Sequence, residues 1–118
     1  MLKINNVELD FDLMDADTAE KYENALKKLQ TAKDKINGTE TLGESIRTQC
    51  NMVFDFFNEI FGIGTDKKLF GNKTNLRVCL EAVETMIEYA NKDMQFIQNK
   101  VNKYSPNRVK NPKFNRRK

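Results

Sequence analysis

Apolar and polar residues alternate along positions 2–11 of the chain, LKINNVELDF. Strict alternation predicts half-buried β-strands, and the Asn5-Asn6 dipeptide in the middle tolerates the positive φ angles of a two-residue hairpin turn. The pattern predicts a β-hairpin in which Ile4 lies opposite Val7 and Leu2 lies opposite Leu9. An isolated hairpin is barely stable in water. Its apolar face is therefore expected to pack on helices or to pair with a further strand.

Beyond this segment the apolar residues recur at three- and four-residue intervals, the spacing of amphipathic helices. The sequences DTAE at 17–20 and TLGE at 41–44 match the capping box that opens helices. Asn37-Gly38 and Gly62 are typical helix ends. The predicted apolar stripes are Tyr22, Leu26, Leu29 and Ile36 in the first helix, and Leu42, Ile46, Val53, Phe54, Phe57, Ile60 and Phe61 in the second.

A glycine-rich connection, residues 62–74, leads to a third predicted helix. Within it, Thr65 is predicted to cap one short turn that carries Leu69 and Phe70 into the core. The third helix is predicted to begin near Thr74 or Asn75 and to run to about Asn102. Its predicted apolar face comprises Leu76, Leu80, Val83, Ile87, Ala90, Met94, Ile97 and Val101.

This third helix is longer than its neighbours. The span from Leu76 to Val101 is ~38 Å and that from Leu42 to Phe61 is ~28 Å, at a rise of about 1.5 Å per residue. We therefore expect the end of the third helix to project beyond the other elements, where it either meets a partner or frays.

Together these elements predict an α+β, mostly α fold, with an N-terminal β-hairpin followed by three helices. The chain has 118 residues, of which 39% are hydrophobic, including eight Phe. This is enough for one packed core and no more. We predict one domain over residues 1–103 and a basic, disordered tail over 104–118, because both prolines and no acidic residue lie in the tail.

Charge is distributed unevenly between these two parts. Residues 1–103 contain all 17 acidic residues and 14 of the 20 Lys and Arg, and the other six Lys and Arg lie in the tail. Basic tracks with aromatic residues hold single-stranded nucleic acid in a salt-dependent, nonspecific way. A solvated tail without a partner is the alternative. The residues that would contact weakly held nucleic acid are Arg108, Lys110, Lys113, Phe114, Arg116, Arg117 and Lys118.

Candidate chemistry is scarce. The chain has no His, which removes His-based nucleophilic catalysis and the usual zinc sites. The connection lacks the Gly-Lys-Ser/Thr end of a P-loop, and the acids near residues 10–17 lack the Gly and Glu of an EF-hand loop. Cys50 and Cys79 are expected to be small core residues. We predict no enzyme activity, no cofactor and no metal.

The chain has no apolar run long enough to span a membrane, and its N-terminus lacks the pattern of a signal peptide. A cytoplasmic location is therefore expected. The strongest sequence signal for binding is apolar. Phe56 points away from the predicted core face, so with Met52 it is predicted to form an exposed strip. Met94, Phe96 and Ile97, near the projecting end of the third helix, form a second predicted contact.

The chain as a whole resembles a known class of proteins. The opening LKINNVELDFDLMDADTAEKYENAL resembles small prophage proteins of Gram-positive bacteria from the tail-morphogenesis module. Residues 40–84 resemble the central block of one uncharacterised family of that kind. The ending YSPNR is similar to the basic C-termini of phage tail assembly chaperones, although the VKNPKF that follows replaces their usual Gln-Arg-Arg run.

This resemblance implies a non-enzymatic phage morphogenesis protein in the cytoplasm of the bacterial host. A tail assembly chaperone binds helical segments of the tape-measure protein until tail-tube protein polymerises around them, and self-association into an oligomer fits such a role. Two alternatives remain open. One is a small phage-encoded regulator that binds nucleic acid or a host factor through the basic tail, and the other is a structural subunit of the phage particle.

Overall fold

A computed structural model describes residues 2–34, 38 and 40–104, with no description of the Tyr104 side chain. The fold is α+β and mostly α, with an N-terminal hairpin followed by helices, as predicted. The elements are β1 (Leu2–Ile4), β2 (Val7–Leu9), α1 (Ala16–Asp34), α2 (Leu42–Phe61), α3 (Thr65–Phe70) and α4 (Leu76–Tyr104).

The hairpin has the predicted register. Leu2 pairs with Leu9 and Ile4 pairs with Val7. The turn residues Asn5 and Asn6 have φ angles of 52° and 67°, the left-handed pair that suits the twist of two antiparallel strands. The Asn5 side chain donates a hydrogen bond to the Leu69 carbonyl at 2.9 Å. The hairpin is therefore tied to α3 as well as packed on the core.

Helix α1 begins two residues earlier than its sequence predicted. The Asp15 carboxylate caps it, accepting hydrogen bonds from the Thr18 backbone N–H at 3.0 Å and the Thr18 hydroxyl at 2.9 Å. The predicted cap, Asp17, lies inside the first turn, where its charge still favours the helix N-terminus. The capping-box prediction at 17–20 is wrong because Thr18 offers Asp15 two donors. Of the predicted helix end, Asn37-Gly38, only Gly38 is described, and it lies in a turn; Ile36 and Asn37 lie outside the described residues.

Helix α2 matches its prediction at both ends. Thr41 and Glu44 form the reciprocal capping box, and Gly62, with φ 109°, ends the helix at a backbone angle that side chains rarely adopt. Its predicted stripe is mostly buried or half-buried, but Leu42 is 78% exposed.

The connection after α2 contains a short helix of its own, α3. Leu69 and Phe70 are buried as predicted. Thr65 is the first residue of α3 and not its cap, because its hydroxyl donates back to the Gly62 carbonyl at 2.7 Å. The Asn58 side chain of α2 accepts a hydrogen bond from the Asp66 N–H at 2.9 Å and so serves the start of α3.

Helix α4 starts where the sequence predicted, because the Asn75 side chain accepts a hydrogen bond from the Val78 N–H at 3.2 Å. Its buried face differs from the prediction. The buried residues are Cys79, Ala82, Val83, Met86 and Ala90, whereas Leu80, Met94 and Val101 are about half exposed. Three of the five are Cys or Ala, and small side chains bring α4 close to the core. The larger side chains of the predicted stripe consequently lie to one side.

Helix α2 lies at the centre, with α1 antiparallel and α4 parallel to it. Lys28 of α1 forms a 3.1 Å ion pair with Glu59 late in α2. The Phe11 ring lies 6.1 Å from both Phe61, at the end of α2, and Tyr89 of α4. Cys50 and Cys79 are fully buried and free, as predicted for core residues.

The end of α4 projects beyond the body of the protein, as expected from its length. No side chain from 91 to 103 is buried, although that stretch belongs to the described part of α4. It is ~20 Å long at about 1.5 Å per residue, and the described molecule is elongated, with extents of 56 × 32 × 21 Å. Residues 91–104 are called the arm below.

Candidate partner-binding surfaces

The residues predicted to bind a partner lie in two separate places. Met52 is half-buried on α2, and Met94, Phe96 and Ile97 belong to the arm. Phe56 is 2% exposed and packs edge-on against Phe57, with ring centroids 5.1 Å apart. The predicted exposed strip of Met52 and Phe56 is therefore wrong. Helix α1 covers Phe56, which lines the same depression as Ala25 and Leu29, so Phe56 belongs to the core.

An open apolar groove separates α1 from α4 on one side of the body. It has a volume of about 280 Å³. Helix α2 forms its floor, and the outer walls are α1 and α4. The residues that line this α1–α4 groove are Leu26, Leu29, Gln30 and Lys33 of α1, Gln49, Met52 and Val53 of α2, and Leu80, Val83 and Ile87 of α4.

The groove is incompletely covered by the chain itself. Leu80 is 51% exposed, and Leu26, Leu29, Met52 and Ile87 are half-buried. At Leu80 the groove continues into a shallower depression between the starts of α2 and α4, which Ile46 and Leu76 also line. The result is a continuous apolar surface along α4, of the kind that on soluble proteins marks an interaction site.

Charged side chains of opposite sign border this surface. Lys33 stands on the α1 wall of the groove, and Arg77, Glu81 and Glu84 line the depression on the α4 side. A ligand that extends from the groove into the depression therefore meets one positive group on α1 and charges of both signs on α4. Such charges favour particular orientations of a charged amphipathic partner.

The arm carries the second apolar surface. Met94 is 45%, Phe96 54% and Val101 48% exposed, and Ile97 is half-buried. The Lys100 ammonium lies 5.3 Å from the centroid of the Phe96 ring, within cation–π distance. These side chains belong to one helix, so the arm presents an open helical face and not a cavity.

The described residues assemble no metal site, since no cluster of three or more His, Cys, Asp or Glu occurs among them. Burial, with the neighbouring Cys50 thiol, raises the pKa of Cys79 to about 12. Cys79 is consequently a thiol at neutral pH, without the thiolate that a reactive cysteine needs. None of the helices within residues 2–34 and 40–104 is long and apolar enough to cross a membrane.

The predicted nucleic-acid contact lies outside the described residues. Its residues are Arg108, Lys110, Lys113, Phe114, Arg116, Arg117 and Lys118. The α1–α4 groove was not predicted. Its α1 and α4 walls consist of residues that the sequence assigned to the core, such as Leu29 and Leu80. The available signal was the pair of apolar stripes on α4, one with large residues such as Leu80 and one with small residues such as Cys79, between which spacing alone does not decide.

Comparison with known proteins identifies a family but no closer relative. No curated protein and no solved structure matches the chain. The model of a family of unknown function, DUF6673, matches residues 5–118, which is almost the whole chain including the arm and the basic tail. The chain belongs to the DUF6673 family of unknown function.

Proposed function

We propose that this protein is a non-enzymatic phage morphogenesis protein, a tail assembly chaperone that binds helical segments of the tape-measure protein in the cytoplasm of the bacterial host. The observation that supports this role best is the α1–α4 groove, an open apolar surface bordered by helices. The prophage link comes from the resemblance of the sequence to tail-morphogenesis proteins.

The shape and lining of the groove suit an amphipathic helix. Helix-in-groove recognition places the apolar face of one helix between two others, with anchors at three- and four-residue intervals. Met52 on the floor is flexible and polarizable, a property of surfaces that accept varied partners. A chaperone for a long helical protein needs such tolerance, because successive client segments differ in sequence.

The polar border predicts which client segments bind. Lys33 and Glu84 stand on opposite sides of the apolar surface. A client helix with an acidic residue on the flank that faces α1 meets Lys33, and charges of both signs on its other flank meet Arg77, Glu81 and Glu84. Such contacts at the rim fix orientation and register more than they add affinity. The client is then released readily when tail-tube protein arrives.

The direct test is affinity isolation of the tagged protein from cells during prophage induction, with mass spectrometry of what it retains. A wash at about 0.3 M salt screens weak phosphate contacts. We expect the tape-measure protein to be the main companion. Recovery of nucleic acid or a host nucleic-acid-binding protein, without any tail protein, contradicts the proposal.

Two variants at exposed leucines, one inside the groove and one outside it, locate the client site. Leu80→Glu places a charge in the groove at a position that is 51% exposed, and Leu42→Glu does the same at a 78% exposed position outside it. We expect Leu80→Glu to reduce client recovery at least about tenfold, since it buries a carboxylate against the client. Leu42→Glu leaves recovery unchanged. Equal client recovery with both variants would show that the client does not bind in the groove.

The six Lys and Arg of residues 104–118 favour a second candidate, a phage-encoded regulator that binds nucleic acid or a host factor through the tail. Deleting 104–118 separates the two functions, because a chaperone that uses the groove keeps its client whereas a binder that uses the tail loses its ligand. The third alternative is a structural subunit of the phage particle. Its test is the detection of the protein in purified particles, where a structural subunit has to be present.

A further inference from the structure

The apolar spacing of α4 continues into the arm without a break. From Leu76 to Val101 the apolar positions alternate at intervals of four and three residues, which is the heptad pattern of coiled coils. Within the body, Val83 and Ala90 of this series are buried. Beyond Ala90 the series continues as Met94, Ile97 and Val101, which we call the arm seam.

The arm seam lacks a covering element among the described residues. Met94 and Val101 are 45% and 48% exposed. A helix surrounded by water needs no apolar stripe, and a helix that keeps one buries it against another element. A repeat of 3.5 residues specifies that this element is a second helix packed along the first. The arm seam is therefore a surface for one further helix.

The side chains beside the arm seam indicate which helix this is. With Met94 and Val101 at heptad position a, and Ile97 at d, the g positions are Asp93 and Lys100. The e positions on the other flank are the neutral amides Asn91 and Gln98. One flank thus carries two charges of opposite sign, one heptad apart, and the other flank carries none.

We propose that the arm seam binds the arm of a second copy of this chain in antiparallel orientation. In that arrangement Met94 packs beside Ile97 of the partner subunit, and g positions face each other across the interface. Asp93 then lies beside Lys100 of the partner subunit, with an axial offset of ~3 Å at about 1.5 Å per residue. By symmetry two such ion pairs form.

The same pattern disfavours a parallel pair. Parallel coiled coils bring g positions opposite e positions of the partner, so Asp93 would face the neutral Gln98 of the partner subunit and form no ion pair. A shift of the antiparallel register by one heptad in one direction places Asp93 opposite Asp93 of the partner subunit. A shift in the other direction places Lys100 opposite Lys100 of the partner subunit. Like charges at such a distance are destabilising. The charges therefore select one orientation and one register.

Asp93 and Lys100 form no salt bridge among the described residues, where Lys28–Glu59 is the one such pair. The Lys100 ammonium lies 5.3 Å from the centroid of the Phe96 ring, which is at heptad position c, adjacent to g on the helix surface. Asp93 is half-buried on the arm. Neither charge is therefore neutralised by an opposite charge in the described part of the chain.

The contact between the two arms is short, and this limits the affinity of the dimer. At Ala90 the seam enters the body of the protein, where it is fully buried. In the proposed register Val101 reaches the level of Ala90 of the partner subunit, so the contact is confined to residues 91–100 of each copy, about one and a half heptads. Two such helices bury less than the ~1,200 Å² of a stable specific interface. The expected species is a reversible dimer with a dissociation constant in the micromolar range or weaker.

Sedimentation velocity of the full chain, from about 5 µM to about 1 mM, tests the proposal. We expect a monomer–dimer equilibrium. Ile97→Glu abolishes the dimer, and the control Gln95→Glu, on the opposite side of the arm, leaves it unchanged. Circular dichroism verifies that each variant is folded, as expected where no side chain is buried.

Charge reversal tests the orientation. Lys100→Glu faces Asp93 of the partner subunit and raises the dissociation constant at least about tenfold, and the double variant Asp93→Lys with Lys100→Glu restores it. A monomer at every concentration contradicts the proposal, as does a double variant no better than the single one. Leu80→Glu, in the groove, leaves the dimer intact, so failure of the client hypothesis and failure of the dimer remain distinguishable.

Discussion

Phe56 and Phe57 are neighbours in α2, and both are almost completely buried. Consecutive helical residues point about 100° apart, so one covering element cannot enclose both. The central position of α2, between α1 and the side that carries α3 and α4, provides the two coverings. On the arm, the Lys100 ammonium lies over the Phe96 ring, and Phe96 is 54% exposed. The same residue type therefore serves the core at one position and the surface at the other.

These two phenylalanines give a direct prediction. Phe56→Ala is expected to lower the free energy of unfolding by about 3–5 kcal/mol, the usual cost of removing a buried aromatic ring. Phe96→Ala changes it by less than about 0.5 kcal/mol, as surface substitutions generally do. Urea unfolding followed by circular dichroism measures both. Equal losses for the two variants contradict the assignment of Phe56 to the core and Phe96 to the surface.

At the scale of the elements, the sequence predicts turns and helix caps well when they depend on hydrogen bonds between residues that are close in the chain. The hairpin register follows from Asn5-Asn6, and the start of α2 follows from Thr41 and Glu44, because both depend on nearby residues alone. The start of α1 was misplaced, since Asp15 and Asp17 are equally good caps in the sequence and Thr18 decides between them.

The buried face of α4 could not be predicted from local signals of this kind. Two stripes run side by side on this helix, one of large apolar residues such as Leu80 and one of small residues such as Cys79. Spacing alone favours the large residues. The close approach of the parallel helix α2, which depends on the tertiary arrangement, selects the small ones. The α1–α4 groove is the result of that choice, and for this reason the sequence did not reveal it.

The cap of α1 makes a prediction about pH. Hydrogen bonds from the Thr18 backbone and hydroxyl lower the pKa of Asp15. A carboxyl group whose pKa is lower in the folded state stabilises the fold above its unfolded pKa of about 3.9, and this stabilisation is lost as the pH falls below that value. Asp15→Ala should therefore destabilise the protein at pH 7, by an amount that shrinks towards pH 3.

Thermal unfolding at several pH values measures this effect, with Asp17→Ala, two residues along the chain, as the matched control. Asp17 accepts no capping hydrogen bond among those of the described residues. Its replacement is expected to have a smaller effect than Asp15→Ala at pH 7. If Asp17→Ala is the more destabilising of the two, the cap is misassigned.

On the scale of the whole molecule, α4 has two halves with different surroundings. Its first half is enclosed by α2 and the hairpin, with Cys79, Met86 and Ala90 fully buried. Its second half, the arm, has no buried side chain up to residue 103. Helical stability in proteins comes mainly from packing of an apolar face, so the two halves of one continuous helix differ in how firmly they are held.

Hydrogen exchange tests this difference. In dilute solution, amide protons of residues 94–101 are expected to exchange roughly 100-fold faster than those of residues 82–90, because opening the arm exposes no core. Mass spectrometry of exchanged peptides resolves the two segments. If the dimer forms, the protection of residues 94–101 from exchange rises with protein concentration. Equal protection along the whole of α4 at every concentration would contradict the difference in stability between its two halves.

The separation of body and arm also has an evolutionary consequence. Because no core side chain lies in residues 91–103, seven residues inserted there would move the tip of the helix outward by ~10 Å at about 1.5 Å per residue while every apolar position keeps its side of the helix. Two residues inserted at the same point would turn the seam by about 200°, to the opposite side of the helix. Relatives of this chain are thus free to vary in reach by whole heptads, with the body unchanged.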